Sequence, residues 1–201
     1  MKMPNKEAMN KGGSELTGYI SIDEGDNLLR IVGDIHGVKE HRITVEKKIR
    51  MVTCPYEMAR WKAEMENSQE TEFPQCPLCD QGDKVKKQFL TLAVKRNTSP
   101  VEAGILKKGP WVFDPIADYR EDTNWGDVTK YDINIKATGK DLDRTYTIVP
   151  TPPDKSAPLT PEEENAIEKL KIDTDLEALT TPRSAEDIKK IIAGEPTDIP
   201  F

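Results

Sequence analysis

The sequence predicts a mainly β fold, a small barrel or sandwich, and three observations carry that expectation. Short stretches rich in Val, Ile and Thr alternate apolar with polar positions, Gly- and Pro-containing turns separate them, and helix-favouring composition is confined to a few segments.

The elements follow in order. Residues 1–18 are polar, Lys-bearing and Gly-containing, and read as a flexible basic arm. From Asn27, NLLRIVGDIHGV reads as strand and turn, and HRITVEKKIRMVTC alternates as strands do. YEMARWKAEMEN favours a helix, and QETEFPQ ends it. In KQFLTLAVK, Phe89, Thr91 and Ala93 share one face while Leu90, Leu92 and Val94 share the other. AGILKKGPWVFDPI reads as a second strand pair around a Gly-Pro turn. KYDINIKATGKDLDRTYTIVP reads as a hairpin, with Tyr131, Ile133 and Ile135 on one face. Beyond Pro150 the chain is Pro-rich, then shows two helix starts: Thr160 as cap with Pro161 and Glu163, and Ser184 as cap with Gly194 as stop. Three regions result: the arm 1–18, a core 19–153, and an acidic linker and tail 154–201.

The chain has 201 residues, 36% hydrophobic and 32% charged, polar enough that part of it reads as tail around one domain. No apolar run approaches the ~18 residues of a membrane helix, and MKMPNKEAMNKGG has no apolar signal core, so a cytoplasmic protein is expected, host-cytoplasmic if phage-encoded. The net charge of −7 is uneven. Residues 158–201 hold five Lys/Arg against eleven Asp/Glu, whereas residues 84–110 hold seven basic residues and one acid, Glu102. A near-neutral body with a basic stretch suits a polyanionic partner, and the acidic tail is expected to be mobile and to compete with it.

Cys76 and Cys79 form a C-x-x-C knuckle, and Cys54 is the remaining cysteine. Three thiolates and a histidine make a closed tetrahedral zinc site; of the two histidines, His41 is favoured over His36, which sits in a Gly-flanked turn. The competing readings are a redox pair, for which a βαβ context is missing, and inert buried cysteines. A site of this kind contributes to folding rather than to chemistry. Neither histidine begins an H-x-E, and no phosphate loop or nucleophile elbow is present, so no catalytic set is expected.

His41, then Cys54 and the C-P-L-C knuckle, followed by KKQFLTLAVKR, GILKKGPWVFDPI and GKDLDRTYTIVPTPP, resemble the T-even-phage-type single-stranded DNA-binding proteins over about residues 27–153. The resemblance implies an OB-type barrel with an embedded zinc subdomain (about residues 36–82), a flexible basic arm and an acidic tail. It also implies sequence-independent coating of single-stranded DNA in replication, recombination and repair, with self-association along the strand. The Cys54–Cys76 gap is longer than in that family, so MARWKAEM reads as an inserted helix. Asp198, Ile199, Pro200 and Phe201 look like the acidic tip of bacterial single-stranded DNA-binding proteins, which implies docking of replication and recombination enzymes.

For a single strand the chemistry needs cations for phosphates and aromatic faces for bases. The candidates are Lys86, Lys87, Phe89, Lys95, Arg96, Lys107, Lys108, Trp111, Phe113, Arg144 and Tyr146, with Trp61 between Arg60 and Lys62 as a further platform. Lys95, Arg96, Lys107 and Lys108 are expected to be exposed, while Phe89 and Phe113 could equally fill a core. The alternatives are a zinc-ribbon adaptor without its own DNA affinity and a metal-dependent nuclease.

Overall fold

In the computed structural model, which describes residues 18–140 and 143–195, the alternating stretches join into one antiparallel sheet. The strands are β1 (Gly25–Ile31), β2 (His36–Val45), β3 (Lys48–Thr53), β4 (Val85–Lys95), β5 (Glu102–Lys108), β6 (Asp132–Thr138) and β7 (Thr145–Pro150). Their order is β3-β2-β4-β1-β6-β7, with β5 on the other edge of β4. Strand β4 is central because both of its faces are apolar. Leu90, Leu92, Ala93 and Val94 are all buried, as the alternation in KQFLTLAVK predicts. Strands β1 and β2 follow each other along one edge of β4, pairing Ile31 with Ala93 and His36 with Leu90, like a single strand bent at residues 32–35.

Six α-helices lie among the described residues: α1 (Pro55–Met65), α2 (Pro77–Asp80), α3 (Pro110–Glu121), α4 (Pro161–Asp173), α5 (Leu176–Thr180) and α6 (Ala185–Ala193). Helix α1 is the helix expected at MARWKAEM. Helix α3 corrects the expected strand pair around Gly-Pro: Pro110 opens a helix instead of turning a hairpin. Val112, Phe113 and Ile116 then fall on one helical side and are buried against the sheet, which outweighs the β propensity of Trp, Val and Phe.

The sheet is not closed: among the described residues no strand pairing joins β5 to β7. The seam is filled by the segment 18–22 and by α3. Tyr19 bridges to Ile105 in parallel, and the amide of Ile20 donates to the Ile105 carbonyl at 2.9 Å. Arg144 donates to the Ile22 carbonyl at 2.8 Å. Gly104 makes this possible, because a Cβ there would lie 2.2 Å from the Gly18 carbonyl oxygen.

Two apolar layers sandwich the sheet. One face packs Leu29, Ile31, Leu106, Tyr131, Ile133 and Ile135 against α3. The opposite face of β2, β4 and β5 packs Val38, Leu90, Leu92 and Ile105 against Leu176 of α5, with Leu170 of α4 alongside. The mobile tail expected from Pro158 is therefore corrected for residues 158–195. Its apolar residues are few, but they are gathered on helix faces, and both helix starts read from the sequence are present: the Thr160–Glu163 capping box and the Ser184 cap. Residues 1–17, Asp141, Leu142 and the tip Asp198, Ile199, Pro200, Phe201 lie outside the described residues. Among the described residues no helix is long and apolar enough to cross a membrane.

Candidate metal centre and basic cleft

The β2–β3 hairpin brings His41 opposite Val52, so that its imidazole stands beside Cys54, which follows β3 and caps α1. The amide of Cys54 donates to the Lys39 carbonyl at 2.8 Å, tying the end of the hairpin down. Cys76 caps the short helix α2, and Cys79 lies one turn on; the Asp80 amide donates to the Cys76 carbonyl at 3.1 Å. His41 Nε2 is 3.4 Å from Cys76 Sγ and 3.5 Å from Cys79 Sγ, and Cys54 Sγ is 3.4 Å from Cys79 Sγ. All four ligand atoms lie within 4.8 Å of one another. Zinc bonds of about 2.3 Å to sulfur and 2.0–2.1 Å to nitrogen in a tetrahedron require S···S near 3.8 Å and S···N near 3.5 Å, so the set fits one ion.

The electrostatics agree with the geometry. Burial lowers the His41 pKa and favours the neutral, ligating imidazole, while burial raises Cys54, and burial together with the neighbouring thiols raises Cys79. Alone, Cys54 and Cys79 would stay protonated; a divalent cation reverses that preference. The three cysteines are free thiols, and His36 stands five residues back along β2, outside the cluster. His41, Cys54, Cys76 and Cys79 could hold one metal ion, and this buried Cys3His donor set is consistent with structural zinc. His41 Nδ1 is buried without a hydrogen-bond partner among the described residues.

A cleft of about 980 Å3 opens on the outer face of β2, β3, β4 and β5, where α5 ends. Seven basic residues line it against one carboxylate, that of Glu40. The pairing rule places Glu40 opposite Lys86, and Lys107 on β5 reaches the same carboxylate: its ammonium is 2.7 Å from Glu40 Oε2. Leu90, Leu179 and Ile20 add apolar surface, and Tyr19 an aromatic ring. Burial and the nearby Arg144 lower the pKa of Lys108, whose ammonium lies 5.6 Å from the Tyr146 ring; the Arg144 guanidinium lies 5.9 Å from the same ring.

The structure sorts the sequence candidates. Lys86, Lys107 and Lys108 line the cleft, and Arg144 and Tyr146 adjoin Lys108. Trp111, three residues beyond Lys108, is 85% exposed in the first turn of α3. Strand alternation sends Lys87 to the other face, over Trp61 at 4.8 Å and Phe89 at 4.9 Å. There Trp61 lies on Gly37, where a Cβ would come 2.1 Å from the indole, and Phe89 packs on Phe113 at 5.5 Å. Phe113 is core. The expected exposure of Lys95, Arg96, Lys107 and Lys108 is corrected: Lys95 pairs with Asp23 and Glu102, Arg96 is buried on Glu163 and Asp132, and Lys107 and Lys108 are half-buried, Lys107 on Glu40. Sequence reading missed Tyr19, Arg42, Lys48, Arg50 and Arg183, which also line the cleft. One signal was present: HRITVEKKIR carries four Lys/Arg against one Glu.

No protein-family model matches the chain, and no curated protein matches it.

Proposed function

We propose that this protein binds single-stranded DNA without sequence preference and coats it during replication, recombination and repair, with the metal centre in a structural role. The observation that carries this reading is the cleft itself, where seven cations from β2, β3, β4, β5 and the segment after α5 stand against one buried carboxylate. A polyanionic backbone recovers counterion-release free energy there, and Tyr19, Tyr146 and Trp111 supply faces on which bases stack.

The strand connectivity supports the same reading. Counting β1 and β2 as one bent strand, the chain runs through β4, β5, α3, β6 and β7, with pairings β1–β4, β4–β5, β1–β6 and β6–β7. That is the order of an OB fold, a partly open Greek-key barrel whose second and third strands form the oligonucleotide face. Those strands correspond to β4 and β5. The inserted hairpin, α1 and the knuckle then form an embedded metal subdomain at the loop between the first two OB strands. The resemblance to T-even-phage-type proteins points the same way. Docking of partner enzymes on Asp198, Ile199, Pro200 and Phe201 belongs to this reading on sequence grounds alone.

Anisotropy of a labelled oligo-dT against a duplex of equal length tests the proposal. Tighter binding of the single strand is expected; equal or absent binding of both would overturn it.

A further inference from the structure

Residues 174–195 carry five carboxylates and three basic residues, so as a free chain this segment would repel a phosphate backbone. The fold anchors it at both ends. Leu176 of α5 belongs to the apolar layer of Leu90, Leu92 and Ile105 on the outer face of the sheet. Ile188 and Ile191 of α6 belong instead to the core of Val52, Cys54, Cys76 and Leu78 at the metal centre. Between the anchors the chain passes along the cleft, and the amide of Arg183 donates to the Thr53 carbonyl at the end of β3, at 3.3 Å. The orientation is selective. From this segment Leu179 and Arg183 line the cleft, and none of its five carboxylates is among the lining residues.

We propose that residues 179–183 form a second wall of the single-strand cleft, with Arg183 contacting a backbone phosphate of a strand laid on β4 and β5. The metal-bearing subdomain holds that wall in place through Ile188 and Ile191. This rests on the single-stranded DNA reading and extends it to a part of the chain whose overall charge opposes it. The acidic C-terminal region thus contributes to binding through residues 179–183, instead of only competing with the strand.

The test uses full-length chain and labelled oligo-dT at several salt concentrations. Arg183→Glu is expected to weaken binding about tenfold and to reduce the salt slope by about 0.7, the share of one phosphate. Lys189→Glu with Lys190→Glu, at exposed positions of α6 outside the cleft lining, removes more positive charge and is expected to change affinity by less than about twofold, since exposed charges without a direct contact are screened by salt. Arg183→Gln guards against misfolding: it should retain metal and weaken binding about threefold. Equal affinity of the Arg183 variants and the unaltered chain would overturn the second wall while leaving the cleft on the sheet intact. An equal loss in the Lys189/Lys190 variant would overturn it too, since only net charge would then matter. An unaltered chain without affinity for oligo-dT would instead overturn the function and this inference together.

Discussion

The guanidinium of Arg96, at the end of β4, lies 2.6 Å from the carboxylate of Glu163 in the first turn of α4. Both side chains are buried. The same carboxylate oxygen accepts from the Thr160 amide at 2.8 Å, so the helix cap and the clamp share one residue. Arg96 also donates to the carbonyls of Ala157 and Pro158, at 3.2 and 2.9 Å. Its other anionic neighbour, Asp132, is shared with Arg30 at 2.7 Å. Two arginines and two carboxylates make a neutral buried network that fastens the C-terminal helices to the sheet.

Breaking this network leaves an uncompensated charge. Glu163→Ala is expected to destabilise the fold by about 3–5 kcal/mol, the range for removing one partner of a buried pair. Urea unfolding measures it. Oligo-dT affinity of the folded variant should be unchanged, because Arg96 lies buried against the tail; tighter binding with a steeper salt slope would show that the released Arg96 reaches phosphate.

Purified protein should carry one zinc ion per chain on His41, Cys54, Cys76 and Cys79. Cys76→Ser should lose the ion and much of the stability, since metal-binding and folding free energies are linked. The thiols must shed protons to ligate, so a chelator should remove the metal more readily at about pH 6 than at about pH 8. Elemental analysis and chelator competition check both statements. Metal retained in His41→Ala but lost in His36→Ala would contradict the assignment.

Ile188 and Ile191 share a core with Cys54 and Cys76, so the metal and α6 should be coupled. Stripping the metal is expected to raise hydrogen exchange in Ile188–Ala193 while β1 and β6, which belong to the other core, stay protected. Unchanged protection in α6 would mean that the helix docks independently of the ion.

Trp111 and Phe113 are two residues apart and should behave oppositely. Phe113 is buried against the sheet, so Phe113→Ala should cost about 3–5 kcal/mol of stability. Trp111→Ala should leave stability nearly unchanged and weaken oligo-dT binding by about 1–3 kcal/mol, the range for a stacked base. Thermal melts and titrations separate the two outcomes.

Much of the framework was legible in the sequence because its signals are local. The alternation of KQFLTLAVK, the helix caps at Thr160 and Ser184, and the spacing of Cys76 and Cys79 each act within a few residues. What could not be read depends on long-range pairing. Lys86 and Lys87 look alike in sequence, yet pairing of β4 with β2 sends one to the cleft and the other to Trp61. Arg96 looks like a DNA contact until Glu163, 67 residues later, is folded onto it. Gly-Pro at 109–110 fits a turn or a helix start equally well, and only burial of Val112, Phe113 and Ile116 decides between them.

The most direct test of the account is the salt dependence of oligo-dT binding to the unaltered chain and to a variant reversed at two cleft cations, Lys86→Glu with Lys107→Glu. A single strand held by these cations should give a log–log slope near −0.7 per neutralised phosphate, so the double reversal should flatten it by about 1.4 and weaken binding at low salt. Equal slopes and affinities for the two proteins would contradict the claim that this cleft is where the strand lies.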